Sequence, residues 1–163
     1  MRPSFHFQYQ LRPMTIAYRR AVPDDTPACI VLRGLTRENA FSVERLAALG
    51  ITLESWQAGI ADGSLPGHVA TEHGKIIGYC FGERETGEIA VLALLPEHEG
   101  QGVGRTLLNL VVAEFKSFGF DRLFLSCSAD PASRSYGFYR HLGWRSTGSF
   151  DDRGDEILEY HLA

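Results

Sequence analysis

The spacing of apolar residues changes character part-way along the chain, and the change divides it into elements. Ile16 to Arg20 alternates as a short strand does, and Pro23-Asp24-Asp25 is a turn able to cap a helix. Ile30, Val31 and Leu35 then fall on one helical stripe that runs toward Asn39. Phe41-Ser42 leads into a second helical stretch with Leu46 and Leu49 apolar, ended by Gly50. Thr52 to Ala61 is a third, with Leu53, Trp56 and Ile60 three and four residues apart. Asp62-Gly63 and Pro66-Gly67 break it. From His68 the period becomes two, predicting strands at His68 to Glu72 and Ile76 to Glu83 around a turn at Gly74. Glu83 to Gly87 is a polar hairpin connection. Glu88 to Leu94, EIAVLAL, is almost continuously apolar, as a central strand covered on both faces would be.

Helical spacing then returns. Val103, Leu107, Val111, Phe115 and Phe118 share one face, and Gly119 stops the helix. Asp121 to Cys127 is a strand, Ser128 to Ser133 a turn, and Ser133 to Leu142 a short helix ended by Gly143. Trp144 to Phe150 and Ile157 to Leu162 read as a closing hairpin around residues 151–154. The order is that of an α/β domain built on one mixed sheet.

Composition narrows the class without naming a function. The chain has 163 residues, the size of one domain with a sizeable core. Residues 1–13 lack a clear period and are expected to be a flexible extension, with the domain proper at 14–163. A net charge of −4 gives no bulk signal for nucleic acid or an anionic membrane. No apolar run approaches the length of a membrane span. Cys29, Cys80 and Cys127 are scattered and odd in number, which suits reduced thiols in the cytoplasm. No His/Cys/Asp spacing suggests a metal, and His98 and His141 are expected at the surface.

The chemistry concentrates at LALLPEHEGQGVGRTLL, Leu92 to Leu108. Gly100, Gly102 and Gly104 alternate with Gln101 and Val103 and open a helix. Glycines keep side chains clear of the backbone, so several N–H groups can converge beside the positive end of the helix dipole. A strand, a glycine turn and a helix start form a site for phosphate or pyrophosphate. A P-loop fails here, because Glu99 stands at its first glycine and Arg105 at its lysine. A dinucleotide fingerprint fails too, because its last glycine would fall on Arg105 or Leu107.

The spacing does resemble [QR]-x-x-G-x-[GA], the pyrophosphate signature of the GNAT superfamily of N-acetyltransferases, with Pro96-Glu97 before it and Gly102 and Gly104 in the glycine places. Phe138-Tyr139-Arg140-His141-Leu142-Gly143-Trp144 matches that family's second signature, F-Y-x-x-x-G-[FW], at the usual distance. The resemblance runs from about Ile16 to the end and is strongest from Glu88 to Trp144. It implies a single domain with a mixed, mostly antiparallel central sheet flanked by helices, and acetyl-CoA as cosubstrate. It also implies site residues: backbone groups of Leu92, Ala93 and Leu94 on the pantetheine arm, and Gly100, Gln101, Gly102, Val103, Gly104, Arg105 and Thr106 around the pyrophosphate. Tyr139 would protonate the departing thiolate, and Glu88 is the candidate base for the acceptor ammonium. Where many members carry Asn on the pantetheine arm this chain has Ala132, with Ser133 beside it as a substitute. Glu99 occupies the place of the usual Gln or Arg; a carboxylate beside a pyrophosphate is unfavourable unless its side chain turns away, so binding is expected to rest on backbone N–H groups. Arg134 is placed either to meet a phosphate or to stay solvated.

The expected function is direct transfer of an acetyl group to a primary amine of a small molecule or a protein, in a ternary complex. The acidic chain leans toward a small cationic amine, and a homodimer is left open. Phe41, Trp56 and Tyr18 are candidates either for an acceptor groove or for core packing. Two alternatives stand beside this reading: a non-catalytic acyl-CoA-binding or regulatory module, and transfer of a longer acyl group.

Overall fold

The computed structural model of the protein describes residues 15–37 and 41–162. The predicted extension over residues 1–13 and the far end of the first helical stripe at Asn39 lie outside them. The described chain begins with strand β1 (Ile16–Arg20), followed by helices α1 (Thr26–Arg33), α2 (Val43–Ala48) and α3 (Leu53–Asp62). Strands β2 (Gly67–Glu72), β3 (Lys75–Glu83) and β4 (Glu88–Leu94) come next, then α4 (Val103–Ser117), β5 (Arg122–Cys127), α5 (Arg134–His141), β6 (Arg145–Phe150) and β7 (Glu156–His161). One seven-stranded sheet runs β1-β2-β3-β4-β5-β7-β6, and every neighbouring pair is antiparallel except β4–β5. This is the α/β domain and mixed, mostly antiparallel sheet that the periodicity and the resemblance implied.

Local chemistry accounts for most boundaries. The Thr52 hydroxyl accepts from the Ser55 N–H at 3.1 Å while the Ser55 hydroxyl accepts from the Thr52 N–H at 2.9 Å, a reciprocal cap for α3. Ser42 caps α2 in the simpler way. The first helix ends earlier than its stripe suggests. Gly34 closes α1 by donating to the Val31 carbonyl at 3.1 Å, and Val31 and Leu35 are both more than half exposed.

Two faces follow from β3. A Cβ on Gly78 would stand 2.8 Å from Leu94 Cδ1, and one on Gly82 would stand 2.6 Å from the Phe115 ring, so α4 lies hard against this face. Between those glycines, Tyr79 and Phe81 project the other way, onto Trp56 of α3 at ring-centroid distances of 5.8 and 5.3 Å. Trp56 is thereby a core residue. The core is continuous through the sheet, with Leu107, Leu108, Val111 and Phe115 of α4 buried on one side and Cys29, Ile30 and Leu32 of α1 on the other.

One irregularity shapes everything that follows. Phe81 pairs with Val91 and Gly82 with Ile89, so Ala90 is an extra residue in β4. Such a bulge bends a strand and sharpens its twist. Next to it, β4 and β5 share a single register pair, Glu88 with Phe124, reinforced by the Phe124 N–H donating to Gly87 at 3.2 Å. Beyond that pair the two strands part.

The start of α1 is anchored by a buried carboxylate. Asp25 is 6% exposed and accepts from both terminal nitrogens of Arg19 at 2.7 and 2.8 Å and from the Val22 N–H at 2.8 Å. Burial alone would raise the Asp25 pKa, but the Arg19 and Val22 hydrogen bonds outweigh it and hold the carboxyl below its ordinary value of 3.8. A depressed pKa contributes stability that is complete above the unfolded value and is lost as pH falls through the folded one. Asp25→Asn is therefore expected to lower stability at pH 7 by about 1–2 kcal/mol, discounted because Arg19 is half exposed. In urea unfolding series the gap between the two proteins should narrow as pH drops below about 4.

Candidate active site

Where β4 and β5 separate, a cleft of about 560 Å³ opens. Leu92, Ala93 and Leu94 form one wall and Leu125, Ser126 and Cys127 the other, with Phe138 and Tyr139 of α5 across them. Between Ile89 and Leu94 no β5 residue is in register with β4, so that edge of the strand turns its peptide groups to the cleft instead of to a neighbour. Its size and its mixture of apolar walls with a few polar groups are those of a small-molecule site.

The glycine turn closes one end, and its three glycines do different things. Gly100 and Gly102 have φ of 78° and 79°, the left-handed region that glycine enters at little cost. Gly104 lies in the first turn of α4 with an ordinary helical backbone. A Cβ there would point at Phe138 and Leu92, 3.6 and 3.9 Å away, so Gly104 keeps space open. The first intrahelical acceptor of α4 is the Gly102 carbonyl, which takes the Thr106 N–H at 3.1 Å. The N–H groups ahead of it have no intrahelical partner and lie at the cleft.

Charge gathers along the cleft. Arg33, Arg37, Arg105 and Arg134 line the cleft against a single carboxylate, Glu99. An acidic chain thus carries a positive cleft. Glu99 is paired with two of these arginines. Its side chain, 15% exposed, sits at the cleft with Oε2 3.1 Å from Arg37 Nε and 3.3 Å from Arg134 Nη1. Arg134 accordingly meets an anion rather than solvent alone.

The fold brings together Leu92, Ala93, Leu94, Gly100, Gly102, Val103, Gly104, Arg105 and Tyr139. Gln101 is exposed in the turn outside the lining, and the Thr106 hydroxyl is spent on the Gly102 carbonyl at 3.0 Å. Ser133 caps the turn before α5, donating to the Asp130 carbonyl at 2.8 Å, and Ser135 is the serine of α5 in the lining. Glu88 stands at the closed end of the split, directly across from Glu83. Because Ile89 pairs with the α4-facing Gly82, Glu88 faces the opposite side, toward α1 and α3. His98, expected at the surface, is instead 8% exposed, with Nε2 3.5 Å from Glu72, because the turn at Pro96–His98 folds it inward. Among the described residues no group of three or more His, Cys, Asp or Glu side chains gathers as a metal site would. No helix among them is long and apolar enough to cross a membrane.

The two candidate proton-transfer groups are displaced from their ordinary values. Burial pushes the Tyr139 phenol well up, Cys80 and Cys127 add to this, and Arg33 opposes it, so Tyr139 keeps its proton at neutral pH. Burial also raises the Glu88 carboxyl, with Glu83 and Asp151 adding and Arg153 opposing. The sequence offered no sign of Arg33 or Arg37 at this site, since neither belongs to a motif.

A family model described as the acetyltransferase (GNAT) family matches residues 33–144, spanning the split strands, the glycine turn and Tyr139. The chain belongs to that family. Similar solved structures agree on the fold of this GNAT protein. PaiA N-acetyltransferase from Thermoplasma acidophilum, in complex with coenzyme A, is 20% identical with a TM-score of 0.77, covering 91% of this chain and 100% of that one. The ribosomal-protein-S18-alanine N-acetyltransferase of Escherichia coli is 18% identical with a TM-score of 0.68, covering 91% and 95%. YncA from Salmonella typhimurium with its cofactor acetyl-CoA is 18% identical with a TM-score of 0.70, again covering 91% and 95%. No curated protein matches the chain in sequence. Membership supports acyltransferase activity, and the cleft offers apolar walls, an open strand edge, a turn of N–H donors and a lining with four arginines.

Gly104→Asp should separate the cleft from the fold. Aspartate in the first turn suits the helix dipole and fits without severe contact, so the melting temperature should not fall. The new carboxylate enters the cleft beside the N–H groups of the glycine turn, so affinity for a polyanion such as CoA, measured by calorimetry, should drop roughly 100-fold or more.

Proposed function

We propose that the protein transfers an acetyl group from acetyl-CoA to a primary amine of a small molecule or peptide, directly and within a ternary complex. The observation that carries this reading is the β4–β5 split, which brings the glycine turn and Tyr139 into one cleft. Acetyl-CoA, when bound, supplies an activated thioester, and the chain's residues hold it and move protons. Peptide groups of Leu92 to Leu94 face the cleft as a strand edge, able to pair with the amides of an extended pantetheine arm. The N–H groups around Gly100 to Arg105 bind and orient the pyrophosphate.

Tyr139 is the proton donor at the leaving sulfur. Its buried phenol is protonated at neutral pH, and the nearby Arg33 cation moderates its rise. The acceptor approaches from the face of α1 and α3, where Phe41 lies beneath two guanidiniums, Arg33 at 4.7 Å and Arg45 at 4.3 Å. Glu88 faces that side, and its raised pKa makes it a better base than an ordinary carboxylate. From outside the cleft lining it acts through water. The intact, protonated Tyr139 favours an enzyme over a binding module. Three free, buried cysteines among the described residues support a cytoplasmic setting.

Two substitutions test the roles. Tyr139→Phe should cut turnover with acetyl-CoA and an amine panel by roughly 10- to 1,000-fold while CoA affinity survives. Unchanged turnover would remove Tyr139 from the mechanism, and tight CoA binding without turnover by the native chain would favour the module. Glu88→Gln should lower kcat/KM about tenfold or more at pH 7, with the deficit shrinking toward pH 10 as the amine deprotonates unaided. A deficit independent of pH would dismiss Glu88 as the base.

A further inference from the structure

A second, smaller cavity shares no lining residue with the cleft. It encloses about 180 Å³ where β1 ends, where α3 turns into β2, and beside the last turns of α4. Two backbone hydrogen bonds fix its frame: the Ala21 N–H donates to the Gly67 carbonyl at 2.9 Å, and the Arg84 N–H to the Ser64 carbonyl at 3.0 Å. Ile60, Leu65 and Phe118 give it an apolar lining, and Arg20, Arg84 and Glu114 are its charged residues. The transfer mechanism proposed above uses none of them.

Glu114 is the member that packing does not explain. Its side chain is 8% exposed, with Oε1 3.0 Å from Arg20 Nη2. Its other oxygen, Oε2, lies 3.5 Å from His68 Nδ1, and both of those buried atoms lack a hydrogen-bond partner among the described residues. An unsatisfied buried carboxylate oxygen costs stability, so its presence in a cavity wall points to a use for the charge. Burial lowers the His68 pKa against the pull of Glu114, so at neutral pH the imidazole adds no charge.

Glu114 offsets one guanidinium and leaves another over. Among the described residues Arg84 has no carboxylate within ion-pair reach, and its head lies 4.0 Å from the centroid of the Phe118 ring. That contact uses the charge and spends no N–H donor on an acceptor. Arg20 meets Glu114 through a single nitrogen, so other edges of its fork remain for a second anion.

We propose that this cavity binds a small organic carboxylate. The ligand's oxygens bridge Arg84 and Arg20, its short apolar chain lies on Ile60, Leu65 and Phe118, and Glu114 holds Arg20 in place for the bridge. The positive surplus selects an anion. The apolar lining selects against a fully hydrated inorganic oxyanion. The volume falls below the roughly 300 Å³ from which pockets enclose drug-sized ligands, so the chain is short. The site stands whether or not acetyl-CoA occupies the cleft.

The test is an NMR titration of the full chain with butyrate, following the amides of Gly63, Leu65 and Gly67 and the side-chain Nε–H of Arg84, with inorganic phosphate and butylammonium titrated in parallel. Butyrate should shift these resonances saturably with a roughly millimolar Kd, and the two control ions at least about tenfold more weakly. Arg84→Gln should weaken butyrate about tenfold and Arg20→Gln about three- to fivefold. Arg84→Lys keeps the charge but not the planar fork, and should recover only part of the loss. Gly104→Asp, in the cleft, should leave butyrate affinity within about twofold. The proposal is overturned by the absence of a saturable shift, by phosphate binding as tightly as butyrate, or by butylammonium binding in its place. Unchanged affinity in Arg84→Gln also overturns it, as does loss of butyrate in Gly104→Asp, which would place the ligand in the cleft. Both substituted arginines are exposed, so these variants are expected to melt as the native chain does.

Discussion

A parallel strand pair that is interrupted after one register pair is the constraint on which this structure turns. Buried peptide groups left without partners are costly, and proteins rarely leave them so. Here the cost is imposed by packing on either side of the break. The extra residue Ala90 bends β4, and Gly78 and Gly82 let Leu107 and Phe115 of α4 pack close against β3 beside it. The helix that follows β4 must then start at the open end, which places its unpaired N–H groups there too. The cleft and the helix start at its end are thus consequences of one distortion rather than separate additions.

Electrostatics at the cleft run against those of the whole molecule. A chain of net charge −4 lines its cleft with four arginines and one carboxylate. Bulk charge therefore says little about what the cleft takes. The same locality governs proton positions. Tyr139 keeps its proton because burial outweighs Arg33, and Glu88 is raised because it is buried opposite Glu83.

Elements that bury one face were legible from spacing alone, because each packs against a single continuous core: α4 through Val103, Leu107, Val111 and Phe115, and β4 through its apolar run. The first helix misled for the converse reason. Val31 and Leu35 mimic a stripe but face solvent, and Gly34 ends the helix between them. At the site, what was legible was local. The glycine turn and Tyr139 announce themselves in a few consecutive residues. Ser135 rather than Ser133 lines the cleft because the start of α5 decides which serine faces inward. Glu99 read as a defect, since its partners are set by tertiary contact and leave no trace in spacing. His98 was misplaced for the same reason, its burial against Glu72 being invisible in a polar run.

The sheet has a further property that follows from the interrupted pair. Strands β1 to β4 and strands β5, β7 and β6 are two ladders joined near Glu88 and Phe124 and by the α4 crossover above them. A ligand laid along the open edge of β4 would therefore complete the sheet as a strand does, and its free energy of binding would become part of the cohesion between the ladders. Seen this way the sheet is two ladders made continuous by what the cleft holds, and release of that ligand would leave them joined only near Glu88 and Phe124 and through α4.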